Sequence, residues 1–147
     1  MIKIKIQWID FIEVALNAYP EEACGFLFSD APYGILKENW VVFPVKNISP
    51  TPLQAWKPDQ AELRIVKQRA REMELTLLGN IHTHPFDKNR SVDELLLPSD
   101  IDLSYAKRYN DTIRGIMVVD NETVYGIRFH DKFGQEISIL CDIIKGV

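Results

Sequence analysis

The spacing of apolar residues along the chain predicts three helices. Apolar side chains recur at helical spacing over residues 9–18, and Pro20 ends this first helix. A second helix, over residues 58–74, keeps a few apolar residues among many charges, as a helix on the protein surface does. A third begins at Ser99, which can cap it, and runs to about Tyr109.

Short apolar runs bounded by turn residues predict strands between and after these helices. The runs are residues 23–28, 40–45, 75–81, 113–119, 124–129 and 137–140. The last three are separated by short turns, so they predict a β-meander at the end of the chain. Helices and strands mixed in this way favour an α+β fold or a mixed sheet over a regular βαβ repeat.

Composition and charge exclude several classes of protein. The 147 residues include 17 Lys and Arg against 21 Asp and Glu, and the net charge of -4 argues against a nucleic-acid or anionic-membrane surface as partner. This length predicts a single domain over residues 1–147 that needs no metal or disulfide merely to fold. The two cysteines, Cys24 and Cys141, form no CxxC pair, and no segment resembles a signal peptide or membrane span. We therefore expect a cytoplasmic protein.

Two of the three histidines, His82 and His84, follow directly after the predicted strand 75–81. In a strand, residues i and i+2 point to the same face, so both imidazoles could bind one metal ion. The alternative is a pair of partly exposed polar residues at a strand end. The spacing alone favours a metal site without being diagnostic of one.

Carboxylates elsewhere in the chain could complete such a site. Asp100 and Asp102 lie at the start of the third helix, where acids also occur simply to offset the helix dipole. Two histidines and one carboxylate leave a tetrahedral zinc one open position for water, as in catalytic zinc sites. Glu21 and Glu22, before the first predicted strand, are either solvated strand-end charges or a base held beside the metal.

Three blocks of sequence, in this order, resemble the JAMM zinc metalloproteases, also called MPN-plus or Mov34/PAD-1 domains. They are P-x-E-x-CGFL at residues 20–27, HxHP at residues 82–85 and S-x-x-D at residues 99–102. Together with the predicted elements, they cover nearly the whole chain. The resemblance implies an α+β fold formed by a single MPN domain, JAB1/MPN-like and cytidine-deaminase-like. In that fold a mixed, curved β-sheet is flanked by about three helices and ends in a β-meander.

The resemblance also implies the roles of individual residues. One Zn²⁺ would be bound by His82, His84 and Asp102, with water as the fourth ligand. Glu22 would be the general acid/base, and Ser99 would donate a hydrogen bond to the oxyanion of the tetrahedral intermediate. The neighbouring acids, Glu21 and Asp100, would then face away from the metal.

The activity implied by the resemblance is hydrolysis of a peptide or isopeptide bond. The substrate would be a ubiquitin-like or sulfur-carrier protein cleaved after its C-terminus, as in stand-alone prokaryotic and phage-borne members. The alternative is a non-catalytic MPN-type scaffold that binds proteins. The presence of all three ligands, together with Glu22 and Ser99, counts against this alternative. A homodimer is possible because MPN domains often pair.

Four further hypotheses concern a segment and three residues that have no role in the implied site. The segment 86–98 is longer than in compact family members, and we expect a mobile flap over the site or part of the substrate groove. Cys24 is expected to be a small buried hydrophobe and not a nucleophile. His130 is expected in a surface turn, and Trp56 is expected to contact a partner.

Overall fold

An eight-stranded sheet forms the centre of the structure, a computed structural model that describes residues 2–30, 39–106 and 113–141. The strands are β1 (Ile2–Trp8), β2 (Cys24–Ser29), β3 (Asn39–Val45), β4 (Thr76–Pro85), β5 (Ile113–Val119), β6 (Val124–His130), β7 (Glu136–Ile137) and β8 (Ile139–Cys141). The helices are α1 (Phe11–Ala18), α2 (Gln60–Glu72), the single turn α3 (Val92–Leu95) and α4 (Asp100–Ala106).

The sheet is mixed, with strand order β7-β6-β5-β4-β2-β3-β1-β8. The strand β2 runs antiparallel to both β3 and β4, and β4 runs parallel to β5. Antiparallel pairs join β5, β6 and β7 into the predicted terminal meander. The two central strands are therefore β4 and β2, and the last residues of β4 carry both candidate histidine ligands.

Helices cover both faces of this sheet, which explains why the central strands are almost uniformly apolar. On one face, α1 packs Phe11 and Ala15 against a core that includes Leu27 of β2. On the other face, α2 packs Leu63 against a second core that includes Phe26 of β2. Successive residues of β2 thus point into opposite cores, and this strand is held firmly beside β4.

Most of the predicted elements lie where the apolar pattern placed them, but three features differ. The strand β1 was not predicted, although its apolar and polar residues alternate with the two-residue period of a half-buried strand. Ile4 is buried, whereas Lys3 and Lys5 are exposed. The turn α3 forms where only a loop was expected. The last predicted strand is divided at Ser138 because the chain crosses to the opposite edge, where β8 pairs with β1. The predicted end of α4, residues 107–109, lies outside the described residues.

None of the helices within the described ranges has both the length and the apolar character needed to cross a membrane.

Candidate metal centre

Both histidines of the HxH pair lie in the last four residues of β4 and point to one face of the sheet. The pairing of His82 with Ile116 and of His84 with Val118 fixes them between the neighbouring strands. Their exposed fractions are only 3% and 8%, and the two Nε2 atoms are 3.1 Å apart. The expectation that both rings converge on one point is confirmed.

Asp102 brings a carboxylate to the same point from the first turn of α4. The Asp102 amide donates to Ser99 Oγ over 3.1 Å, and the Ser99 amide donates to Asp102 Oδ2 over 2.8 Å. These reciprocal bonds cap the helix, so the predicted capping role of Ser99 is confirmed. They also hold the carboxylate 3.1 Å from His82 Nε2 and 3.0 Å from His84 Nε2. Asp100 is exposed and lies outside this group.

The ring of His84 is oriented by the main chain of α3. Its Nδ1 lies 2.6 Å from the carbonyl oxygen of Leu95, and because a carbonyl only accepts, Nδ1 is the donor. In the neutral ring Nε2 then carries a lone pair, which faces the carboxylate of Asp102. Two acceptors at 3.0 Å repel each other unless a proton or a metal cation lies between them. The arrangement is therefore the one expected of a metal-ligating histidine.

The distances and the donor types both fit zinc. Ligand atoms on a tetrahedral zinc, at bond lengths near 2.0–2.1 Å, lie roughly 3.3 Å apart. The three separations among His82, His84 and Asp102 are 3.0–3.1 Å. The protein also favours positive charge at this point: burial alone lowers the pKa of His84, but the hydrogen bond and charge of Asp102 outweigh it and raise the pKa overall.

Glu22 lies beside these three ligands because of the pairing between β2 and β4. Cys24 pairs with His82, so continuing the antiparallel register places Glu22 opposite His84 and on the same face. Ligand atoms of Glu22 and of the other three residues all lie within 4.8 Å of one another. Glu21, one residue earlier, is exposed and lies outside this group.

The environment of Glu22 suits a group that accepts and releases a proton. Its side chain is 4% exposed, and its Oε1 has no hydrogen-bond partner within the described ranges. Burial raises the pKa of Glu22 to about 8; the charge of His84 lowers it and that of Asp102 raises it further. A carboxyl with a pKa near neutrality can act as base and then as acid.

Two other sequence predictions have opposite outcomes. Cys24 is fully buried, and its Sγ donates to the carbonyl oxygen of Val45 over 3.2 Å. Burial raises the pKa of its thiol to about 12. The prediction that Cys24 is a small buried hydrophobe is therefore confirmed. The surface position expected of His130 is wrong, because β6 continues through this residue and leaves it only 2% exposed. His130 lines a small cavity together with His82 and Asp102.

The segment 86–98 does not lie free over the site as the flap hypothesis supposed. Leu95 and Leu96 are 5% and 6% exposed and pack against Val118 of β5, with Phe86 and Val92 beside them. The two leucines supply an apolar cluster of their own, which docks the segment onto the sheet. The segment thereby holds the carbonyl of Leu95 against Nδ1 of His84.

The sequence did not predict that two further residues, Trp56 and Asn47, would contact the site. The indole of Trp56 lies over the ring of His82, with ring centres 5.7 Å apart and planes 23° from parallel. The side-chain amide of Asn47 donates to the carbonyl oxygen of Glu22 over 2.7 Å. Both belong to the loop between β3 and α2, which has no periodic pattern from which such contacts could be predicted.

Comparison with known proteins gives one family for the chain. The family model for prokaryotic homologs of the JAB domain matches residues 7–130. No curated protein sequence matches the chain significantly.

Solved structures give the fold. A JAB1/MPN domain protein from Archaeoglobus fulgidus is 17% identical, with 94% of this chain and 98% of that chain covered and a TM-score of 0.55. A protein from Desulfitobacterium hafniense is 22% identical, with 95% and 92% covered and a TM-score of 0.57. A structure described as a JAMM metalloprotease-like zinc site in the proteasome and signalosome is 14% identical, with 97% and 100% covered and a TM-score of 0.50.

These likenesses agree with the mixed sheet, the three longer helices and the terminal meander described above. The chain belongs to the family of prokaryotic JAB-domain proteins, has the JAB1/MPN fold, and assembles a His-His-Asp-Glu group compatible with metal binding.

Proposed function

We propose that this protein is a zinc-dependent peptidase or isopeptidase of the JAMM type. One observation carries the proposal: the converging polar atoms of His82, His84 and Asp102 lie beside a buried carboxyl group, that of Glu22. A purely structural metal site would fill its positions with strong ligands and would have no use for an adjacent proton carrier. A site with three ligands and a neighbouring base is suited to hydrolysis.

His82, His84 and Asp102 would hold the zinc. A bound Zn²⁺ supplies a Lewis acid that polarises a carbonyl and makes water more acidic. The two imidazoles and the carboxylate sit on β4 and on the capped first turn of α4, so little reorganisation is needed for them to hold an ion.

Glu22 is the proposed general acid/base. Its carboxylate takes a proton from the attacking water and passes it to the departing amine. The burial that raises its pKa also keeps bulk water from competing for that proton. The amine leaves from a lysine side chain or from a main-chain nitrogen by the same chemistry at the carbonyl.

Ser99 is the proposed donor to the oxyanion. Its Oγ accepts the Asp102 amide as helix cap, which uses a lone pair and leaves the hydroxyl hydrogen available. The hydroxyl therefore caps α4 and donates to the developing negative charge at the same time.

The proposed substrate is a ubiquitin-like or sulfur-carrier protein, cleaved after its C-terminal residue. Support for this class comes from the family resemblance, since the chemistry of the site is common to any peptide carbonyl. The proposed place of action is the cytoplasm.

Metal content tests the site. Protein purified without added metal is measured by mass spectrometry for wild type, His84→Ala, Asp102→Ala and Glu22→Gln. We expect about one zinc per chain in wild type and in Glu22→Gln, and loss of zinc in the two ligand variants. A wild-type protein that takes up no zinc even after reconstitution overturns the proposal.

Turnover tests the activity. The zinc-loaded protein is incubated with ubiquitin-like and sulfur-carrier proteins extended by a peptide at the C-terminus or joined there to a lysine. Cleavage that is lost in Glu22→Gln, with zinc retained, supports the peptidase. Zinc binding without cleavage of any of these substrates favours the protein-binding scaffold.

A further inference from the structure

The loop over residues 46–59, between β3 and α2, contacts two members of the candidate site at once. It reaches the main chain of Glu22 on one side and the imidazole of His82 on the other. Neither contact is part of the sheet pairing that brings β2 and β4 together. The loop therefore acts on the site independently of the strands that carry it.

Glu22 is held by the loop through both of its main-chain polar groups. Its amide donates to the carbonyl oxygen of Pro52 over 2.7 Å, and its carbonyl accepts from Asn47 Nδ2 over 2.7 Å. Glu22 precedes β2, so the ladder between β2 and β4 does not fix its main chain by itself. The loop supplies that restraint.

Asn47 joins this restraint to the fold of the loop itself. Its Nδ2 also donates to the carbonyl oxygen of Ala55 over 3.1 Å. Its Oδ1 accepts from the amides of Ser49 and Lys57, each over 2.9 Å. All the hydrogen bonds of one side chain are thus used to shape the loop and to tie it to Glu22.

His82 is held by the loop through stacking. Nδ1 of His82 is buried and has no hydrogen-bond partner within the described ranges, in contrast to Nδ1 of His84, which donates to Leu95. The Nε2 atom of His82 contacts Asp102, and Trp56 limits rotation of the ring further because its plane lies 23° from parallel to it. Trp56 is itself fixed by an edge-to-face contact with Phe26, at 6.3 Å and 73°.

We propose that Asn47 and Trp56 are positioning residues, which hold Glu22 and His82 respectively in the geometry that the site requires. The inference rests on the proposed zinc site but concerns groups that touch neither metal nor substrate. One loop then sets both the position of the base and the orientation of a ligand. The two roles separate experimentally, because Glu22 is needed for turnover and His82 for metal affinity.

Trp56 is tested by zinc affinity, measured by competition with a chromogenic chelator. We expect Trp56→Leu to weaken zinc binding by about tenfold, as loss of an outer support of a ligand does, and Trp56→Phe, which keeps a stacking ring, to restore most of it. Leu53→Ala, an exposed change in the same loop, is the control and leaves the affinity unchanged. Equal affinities for wild type and Trp56→Leu overturn the role, as do equally weak affinities for the Leu and Phe variants.

Asn47 is tested by the kinetics of Asn47→Asp. This variant keeps the acceptor for Ser49 and Lys57 but replaces both donors by an oxygen that the carbonyls of Glu22 and Ala55 repel, so the link to Glu22 breaks. We expect kcat to fall about tenfold or more with KM and zinc affinity nearly unchanged. An unchanged kcat, or a loss of zinc parallel to the loss of kcat, contradicts a role through Glu22.

Nuclear magnetic resonance of the metal-free protein separates this inference from the proposed function. We expect the His82 ring signals to broaden in Trp56→Leu and to stay sharp in Trp56→Phe, because only the loss of stacking frees the ring. The Glu22 amide exchanges with solvent more than tenfold faster in Asn47→Asp. If wild type binds no zinc, the proposed function fails, but these two readouts still decide the inference. Unchanged His82 signals and unchanged Glu22 exchange overturn the inference.

Discussion

The carbonyl oxygen of Leu95 lies 2.6 Å from Nδ1 of His84, so a helical turn outside the sheet orients a candidate ligand within it. The turn is docked by the side chains of Leu95 and Leu96, which pack on Val118. The acceptor is a main-chain carbonyl, so replacing the side chain of Leu95 does not remove it. The strength of this hydrogen bond depends instead on how firmly the turn is packed.

Leu96→Ala tests this dependence. Loss of the buried side chain is expected to lower the free energy of unfolding by about 2 kcal/mol and to weaken zinc binding by about tenfold, because the carbonyl of Leu95 is no longer held against His84. Thermal unfolding and chelator competition measure the two effects. The control is Leu97→Ala, whose side chain is 52% exposed and whose loss has little effect on either. Unchanged zinc affinity in Leu96→Ala speaks against support by α3.

The metal-free Glu22→Gln variant is expected to become more stable than wild type as pH rises. The ordinary pKa of Glu22 is 4.5, and burial raises it to about 8 in the folded protein. Below pH 4.5 the Glu22 carboxyl is protonated in both the folded and the unfolded protein. Between pH 4.5 and about 8 it ionises in the unfolded chain but stays protonated in the folded protein. Wild type therefore loses stability over that range, by about 1.4 kcal/mol for each unit between the two pKa values, whereas the variant does not.

Melting temperatures of the two metal-free proteins from pH 4 to pH 9 measure the effect. The difference between them should be small at pH 4, grow towards pH 8 and level off above it. Glu21→Gln, an exposed change, should follow wild type throughout. A difference independent of pH contradicts the raised pKa.

His130→Leu is expected to stabilise the protein. Neither ring nitrogen of His130 has a hydrogen-bond partner in the described part of the chain, and an unpaired buried polar group costs about 1–3 kcal/mol. Burial, and then the charge of Arg128, lowers the pKa of His130, so the folded protein disfavours its protonation. Wild type thus loses stability as pH falls below about 6.5, and the advantage of the variant widens there.

Urea unfolding at pH 7.5 and pH 5.5 measures this advantage, with His130→Gln as the variant that keeps a polar group. A gain of about 1 kcal/mol at pH 7.5 is expected for the Leu variant only. If His130→Leu instead loses stability or zinc affinity, the imidazole supports the site and is not a destabilising unpaired group.

Gly25→Ala is expected to destabilise the protein strongly. A Cβ at this position would lie 2.6 Å from the carbonyl oxygen of Phe43 and 2.8 Å from the ring of Phe11. Strand or helix must shift, at a cost of about 1–3 kcal/mol. Gly126→Ala is the control, since the nearest atoms to its Cβ would belong to side chains, those of Leu96 at 3.3 Å and Val92 at 3.5 Å. Equal melting temperatures for the two variants would refute this account.

The apolar pattern predicted most of the fold because local periodicity reports which residues are buried. It located α1, α2 and the central strands, whose residues face one core or the other. It missed the pairing of β1 with β8, which depends on residues far apart in the sequence. It also missed the turn α3, because four residues are too few to establish a helical period.

The candidate site was predicted in part, and for a physical reason. The alternation within a strand places His82 and His84 on one face, and the capping of α4 by Ser99 places Asp102 at a helix start. Choosing Glu22 over Glu21, and Asp102 over Asp100, needed the family resemblance, because the members of each pair are acids only one or two residues apart. The contacts of Trp56 and Asn47 follow from the path of a loop, which carries no periodic signal.

The four members of the site come from three separate segments: the residues just before β2, the end of β4 and the start of α4. No short piece of the chain can therefore bind the metal with the affinity of the whole, and coordination becomes possible only after the long-range strand pairing is complete. A cation that binds only this assembled state shifts the folding equilibrium by mass action, so added zinc should raise the melting temperature in proportion to the logarithm of its concentration. An ion bound for the proposed chemistry would then also extend the lifetime of the folded protein.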